Sequence, residues 1–84
     1  MDSYEFQGMY IPEDMMGGIR RYIDDKCPPG HFLTAVLEND LKEAVSRADH
    51  RNMKVIPAYV SYLYNHAPGN CWGSKEAVDE WLKG

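Results

Sequence analysis

The longest apolar periodicity in the chain runs through Leu33, Leu37, Leu41, Ala44, Val45 and Ala48, at spacings of three and four. That spacing lines up one side of a helix, and it predicts a central helix over about residues 31–48 on which the other elements pack. Asn39-Asp40 falls inside it, and both residues cap helices better than they fill them, so one continuous helix and two shorter ones both fit the pattern. Met15, Ile19, Tyr22 and Ile23 form a second stripe, opened by Pro12 and the acidic pair Glu13-Asp14. Pro57 opens a third helix through about His66, with Ile56, Val60 and Leu63 inward. Ser74 is a plausible N-cap for a closing helix carrying Ala77, Val78, Trp81 and Leu82. In residues 1–11, Tyr4, Phe6 and Tyr10 alternate with polar neighbours in the period of a strand. No second strand is evident, so the expectation is an extended arm packed across the helices, with a short hairpin as the lesser alternative. The fold class expected is all-α: one small domain over residues 1–84, of about four helices around the central one.

Three interruptions bear on function. Gly17-Gly18 breaks the Met15–Ile23 stripe, and each interior glycine costs a helix roughly 1 kcal/mol relative to alanine. Close approach of another helix explains such a step, and so does a bare backbone patch against which a ligand or partner lies. Cys27-Pro28-Pro29-Gly30 makes a stiff corner before His31 that orders at little entropic cost. Ala67-Pro68-Gly69-Asn70-Cys71-Trp72-Gly73 is a second turn-rich loop, in which Trp72 is read as a lid on the core in preference to an exposed anchor. Tyr59, Tyr62 and Tyr64 lie around one helix and cannot all enter one core, which leaves at least one at a rim or an interface.

Composition narrows the function classes. With 84 residues and 44% hydrophobic content, the chain has room for one modest core, and self-association is a natural supplement to it. No apolar run is long enough to cross a bilayer, and the first residues have neither the charge nor the apolar stretch of a secretion signal, so an intracellular site and no membrane partner are expected. Cys27 and Cys71 are then thiols. A formal charge of −4 disfavours general attraction to phosphate backbones, so no nucleic-acid partner is expected. Cys27-x3-His31 and His66-x4-Cys71 supply four atoms that zinc accepts, but without a Cys-x2-Cys knuckle the spacing is permissive only, and no metal is assigned. No nucleophile elbow, phosphate loop or dinucleotide fingerprint occurs. Adjacent carboxylates such as Asp24-Asp25 point apart on a helix. The expectation is therefore a non-enzyme without a cofactor.

Binding is easier to motivate. Arg20, Arg21, His31, Asn39, Arg47, His50 and Arg51 can grip an anion, while Tyr59, Tyr62 and Trp72 can stack on a base. The candidate site joins the Pro28-Phe32 loop to the polar side of the central helix, with Arg20, His31, Phe32, Asn39, Arg47, Tyr59 and Trp72 as its residues. The alternative for Asn39, Glu43 and Arg47, at successive spacings of four, is an ordinary solvated, salt-bridged helix face.

Gly17-Gly18-Ile19-Arg20-Arg21-Tyr22-Ile23, Pro28-Pro29-Gly30-x-Phe32-Leu33-Thr34-Ala35-Val36-Leu37, Asn39-Asp40-Leu41, Arg47-Ala48-Asp49 and Cys71-Trp72-Gly73-Ser74 together resemble a group of small uncharacterised accessory proteins of tailed phages and prophages. The likeness spans roughly residues 11–82 and carries no catalytic assignment. It implies a protein working in the cytoplasm of an infected bacterium, where small accessory proteins often antagonise host defence. Two expectations follow: an oligomeric helical binder that sequesters a small anionic, nucleotide-derived signalling ligand, or an inhibitor or adaptor that blocks a host defence protein directly through exposed tyrosines, Trp72 and the Gly17-Gly18 patch.

Overall fold

The computed structural model describes residues 4–84. The chain begins with a hairpin of Tyr4–Phe6 (β1) and Met9–Ile11 (β2), antiparallel with Tyr4 opposite Ile11 and Phe6 opposite Met9. Gln7 and Gly8 turn it, both at positive φ (51° and 84°), the mirror-image turn whose twist suits two short strands. The hairpin packs across the helix Ile56–His66. The Tyr4 hydroxyl shares a 2.7 Å hydrogen bond with Ser61 Oγ, and its ring meets Tyr62 and His66 edge-on. The arm does lie over a helix, as its pattern implies, but residues 4–11 pair with each other. The fold is mostly helical with a two-stranded sheet, not all-α; residues 1–3 of the expected arm lie outside the described residues.

The described residues form six α-helices: Glu13–Asp25 (α1), His31–Leu37 (α2), Leu41–Arg47 (α3), His50–Met53 (α4), Ile56–His66 (α5) and Lys75–Lys83 (α6), with a single 3₁₀ turn at Gly69–Cys71. The continuous helix over 31–48 is not formed. Asn39 takes the left-handed conformation (φ 61°), its N–H bonds to Val36 O at 3.1 Å, and the Asp40 N–H bonds to Ala35 O at 2.9 Å. This pair of bonds is the Schellman closure of a helix end. Asp40 then starts the next helix, its carboxylate accepting from the Glu43 N–H. Breaking the helix resets its phase. Leu41 and Val45, expected on the buried stripe, are 66% and 41% exposed, while Ala44 goes inward. On α5 Leu63 is inward as expected, whereas Val60 is exposed and Ala58 and Tyr59 enter the core in its place.

The core gathers Ile11, Ile19, Tyr22, Leu33, Leu37, Tyr59, Leu63, Cys71 and Val78 from every layer of the chain. Its polar atoms are matched. Tyr22 donates to Cys71 O at 2.7 Å, Trp81 Nε1 donates to Tyr22 O at 2.9 Å, and Tyr59 donates to Asn52 Oδ1. No buried side-chain nitrogen or oxygen among the described residues lacks a partner, as the cost of an unmade buried hydrogen bond requires. Trp72 packs half-buried against the core, in the lid position, and the next residue ties the loop down through Gly73 N–H to Leu37 O at 2.7 Å. Among the described residues no helix is long and apolar enough to cross a membrane.

Candidate functional site

On α1, Asp14, Gly18 and Arg21 fall at i, i+4 and i+7, one face of the helix. The stiff Cys27-Pro28-Pro29-Gly30 corner then turns the chain so that α2 begins beside that face. Between them lies a half-open cleft of about 390 Å³. Its apolar walls are Met15, Phe32, Leu33 and the two prolines; its polar groups are Arg21, His31, Cys27 and Asp14.

The glycine pair explains how Arg21 enters the cleft. Side chains on a helix lean toward its N-terminus, so Arg21 lies back over Gly18 and Gly17. A Cβ on Gly17 would stand 3.3 Å from Arg21 Nη1, and among the described residues no other atom beyond its own helix's backbone and its chain neighbours lies within 4 Å. A Cβ on Gly18 would stand 3.4 Å from Leu33 Cδ1 and 3.9 Å from Arg21 Nη2. Gly18 therefore serves the packing of α1 on α2, whereas Gly17 makes room for the guanidinium alone.

The cleft carries one charge of each sign, and only the negative one has a partner among the described residues. Asp14 is held by Arg51, with contacts of 3.4 and 3.5 Å. The hydrogen bond from Arg51 keeps the Asp14 carboxyl below its ordinary range, and Arg51 in turn is raised by the same contact. The carboxylate is thus paired outside the cleft, while the Arg21 guanidinium forms no ion pair with a described residue. A cation beside an imidazole and a thiol, over apolar walls, can grip an anionic group and cover an attached flat ring.

Of the seven residues expected in the site, the structure brings His31 and Phe32 into this cleft. The other five do not converge on it. Arg20 is not among the lining residues; its neighbour Arg21 takes that place. Asn39 ends α2 and lines a separate shallow groove with Leu41 and Val60. Arg47 is exposed and its Nε bonds Glu43 Oε1 at 3.1 Å, so this side of α3 is the solvated ion-paired face. Tyr59 is fully buried, edge-to-face with Phe32 at 5.3 Å, so its ring serves the core and cannot stack on a ligand. Trp72 belongs to the loop against Leu37. Cys27 lines the cleft and Cys71 is buried; the described residues hold no group of three or more metal-binding side chains. Arg20 and Arg21 differ only by the 100° that separates neighbours on a helix, so the apolar stripe alone does not tell which of them faces the cleft.

Comparison with known proteins yields no family model, curated protein or solved structure that matches the chain.

Proposed function

We propose that the chain is a non-enzymatic binding protein that takes a small anionic, nucleotide-derived ligand into the cleft between α1 and α2. In the setting that the phage-like sequence pattern implies, it is an accessory protein that antagonises bacterial defence by sequestering a signalling molecule. The observation that carries the binding step is Arg21. Interior glycine costs roughly 1 kcal/mol of helix stability, and among the described residues only that guanidinium comes within 4 Å of a Cβ at Gly17, its own helix's backbone aside. An arginine laid into a cleft without an ion pair to any described residue is arranged for an anion that arrives from outside. His31 supplies a second hydrogen-bonding group, and Pro28, Pro29 and the edge of Phe32 supply a wall for a base or sugar.

Calorimetric titration with cyclic dinucleotides and ADP-ribose derivatives tests the proposal. We expect one member of that panel to bind, Arg21→Ala to weaken it about tenfold or more, as loss of a charge-assisted hydrogen-bond pair does, and Arg47→Ala to leave it unchanged. No heat and no thermal shift across the panel removes the proposal. A stoichiometric host protein held by the chain in that case supports direct blocking of a defence protein.

A further inference from the structure

The cleft between α1 and α2 contains a carboxylate as well as a guanidinium. Asp14 and Arg21 are seven residues apart on α1, which puts them about 20° apart around its axis and two turns apart along it. Arg21 closes much of that gap by lying back. Its guanidinium reaches the level of Gly17 and Gly18, 3.3 and 3.9 Å from where their Cβ atoms would stand. Those positions follow Asp14 by three and four residues, the spacing that sets helical Cβ atoms about 5–6 Å apart and lets opposite charges pair. Yet Arg21 has no ion pair with a described residue. The Asp14 carboxylate is taken instead by Arg51, at both oxygens: Nη1 to Oδ1 at 3.5 Å and Nη2 to Oδ2 at 3.4 Å. Such a fork fixes the direction in which a carboxylate points. Arg51 is itself mounted on the core. It lies on α4, whose start is capped by Asp49, accepting from the Asn52 N–H at 2.8 Å, and whose buried Asn52 accepts from the Tyr59 hydroxyl. Asp49 stands 3.8 Å from Arg51 on its other side.

We infer that Arg51 is a positioning residue for the cleft: by holding Asp14 outward it keeps Arg21 open to an anion from solution. Its purpose rests on the reading of Arg21 as the group that meets the ligand. The pair contributes little else. Arg51 and Asp14 are 58% and 66% exposed, and ion pairs so exposed add little to stability. Losing Arg51 therefore leaves the fold intact and acts through where the Asp14 carboxylate goes. Once released, that carboxylate has a guanidinium one turn away on its own helix face. An anion tethered at that range competes with a free one at every ligand concentration.

A double-mutant cycle read at the Asp14 carboxyl carbon by nuclear magnetic resonance tests this without any nucleotide. In the wild-type chain Arg51 holds Asp14 below its ordinary value, so Arg21→Ala should barely move its titration. In an Arg51→Ala chain Asp14 turns to Arg21, and adding Arg21→Ala should raise its titration clearly. The other titratable groups lining the cleft, His31 and Cys27, are the same in all four chains and cancel. An equal response to Arg21→Ala in both backgrounds overturns the inference. Binding gives a second readout, with inorganic phosphate as the probe, followed at the Gly17 and Gly18 amides. Arg51→Ala should weaken it about two- to fivefold, and Asp14→Asn should recover that loss while changing little when Arg51 is present. A loss that Asp14→Asn does not recover means that Arg51 meets the anion itself, and overturns the positioning role. Because the carboxyl cycle uses no ligand, its result is independent of whether the nucleotide panel binds.

Discussion

At the residue scale, Gly17 and Tyr59 have opposite roles, one at the cleft and one in the core. Among the described residues a methyl group on Gly17 meets only the far end of the long Arg21 side chain, so Gly17→Ala should raise stability by about 0.5–1 kcal/mol through helix propensity. The same methyl displaces the guanidinium and should weaken ligand binding. Thermal melts and calorimetry on one variant therefore should move in opposite directions; a more stable variant with unchanged affinity removes Arg21's seat from the account. Tyr59→Phe should do the reverse. It orphans the buried Asn52 oxygen and should cost about 1–3 kcal/mol, with affinity unaffected, because Tyr59 is core. Residue types were legible in the sequence: rigid corner, arginine pair, aromatic surplus. Which arginine faces the cleft, and which tyrosine is buried, depends on the rotation of a helix about its axis, and periodicity leaves that uncertain by a residue.

At the element scale, the sequence carried the helix starts better than the breaks. Pro57 and Ser74 mark α5 and α6, and Ser74 Oγ does accept the Ala77 N–H at 3.0 Å. Asn39-Asp40 carried the signal for the end of α2, but the leucine stripe continued across it and masked the change of phase. The hairpin stood second to an unpaired arm because its strands have three residues each and its turn starts at Gln7, not at Asn or Asp. These readings have measurable consequences. Asn39→Ala should destabilise by about 1 kcal/mol, since alanine resists the left-handed conformation, and Asn39→Gly should not. Asp40→Ala should cost about 0.5–2 kcal/mol by leaving the start of α3 uncapped. Chemical denaturation of the three variants checks both; equal midpoints for Asn39→Ala and Asn39→Gly contradict the Schellman closure.

At the scale of the whole molecule, buried hydroxyls and a buried thiol set the pH limits. Burial raises Tyr22 and Tyr59 above their ordinary 10.0, and Cys71 above 9.0. In the unfolded chain these groups lose protons at their ordinary values, whereas the native state keeps them, so stability should fall as pH rises past about 9 and further past 10. Asp14 acts at the other end. Its folded value is lowered, so its small, exposed contribution is present above its ordinary value and lost as pH falls through the folded one. Urea midpoints across the pH range give the profile, and a midpoint unchanged from pH 8 to 11 contradicts the buried assignments. The most direct test of the central claim is where the ligand sits. In an amide-resolved nuclear magnetic resonance titration with the tightest-binding nucleotide, shifts should concentrate at Gly17, Gly18, Arg21, His31 and Phe32. Shifts centred on Asn39 and Arg47 instead, with the α1 glycines unmoved, contradict it.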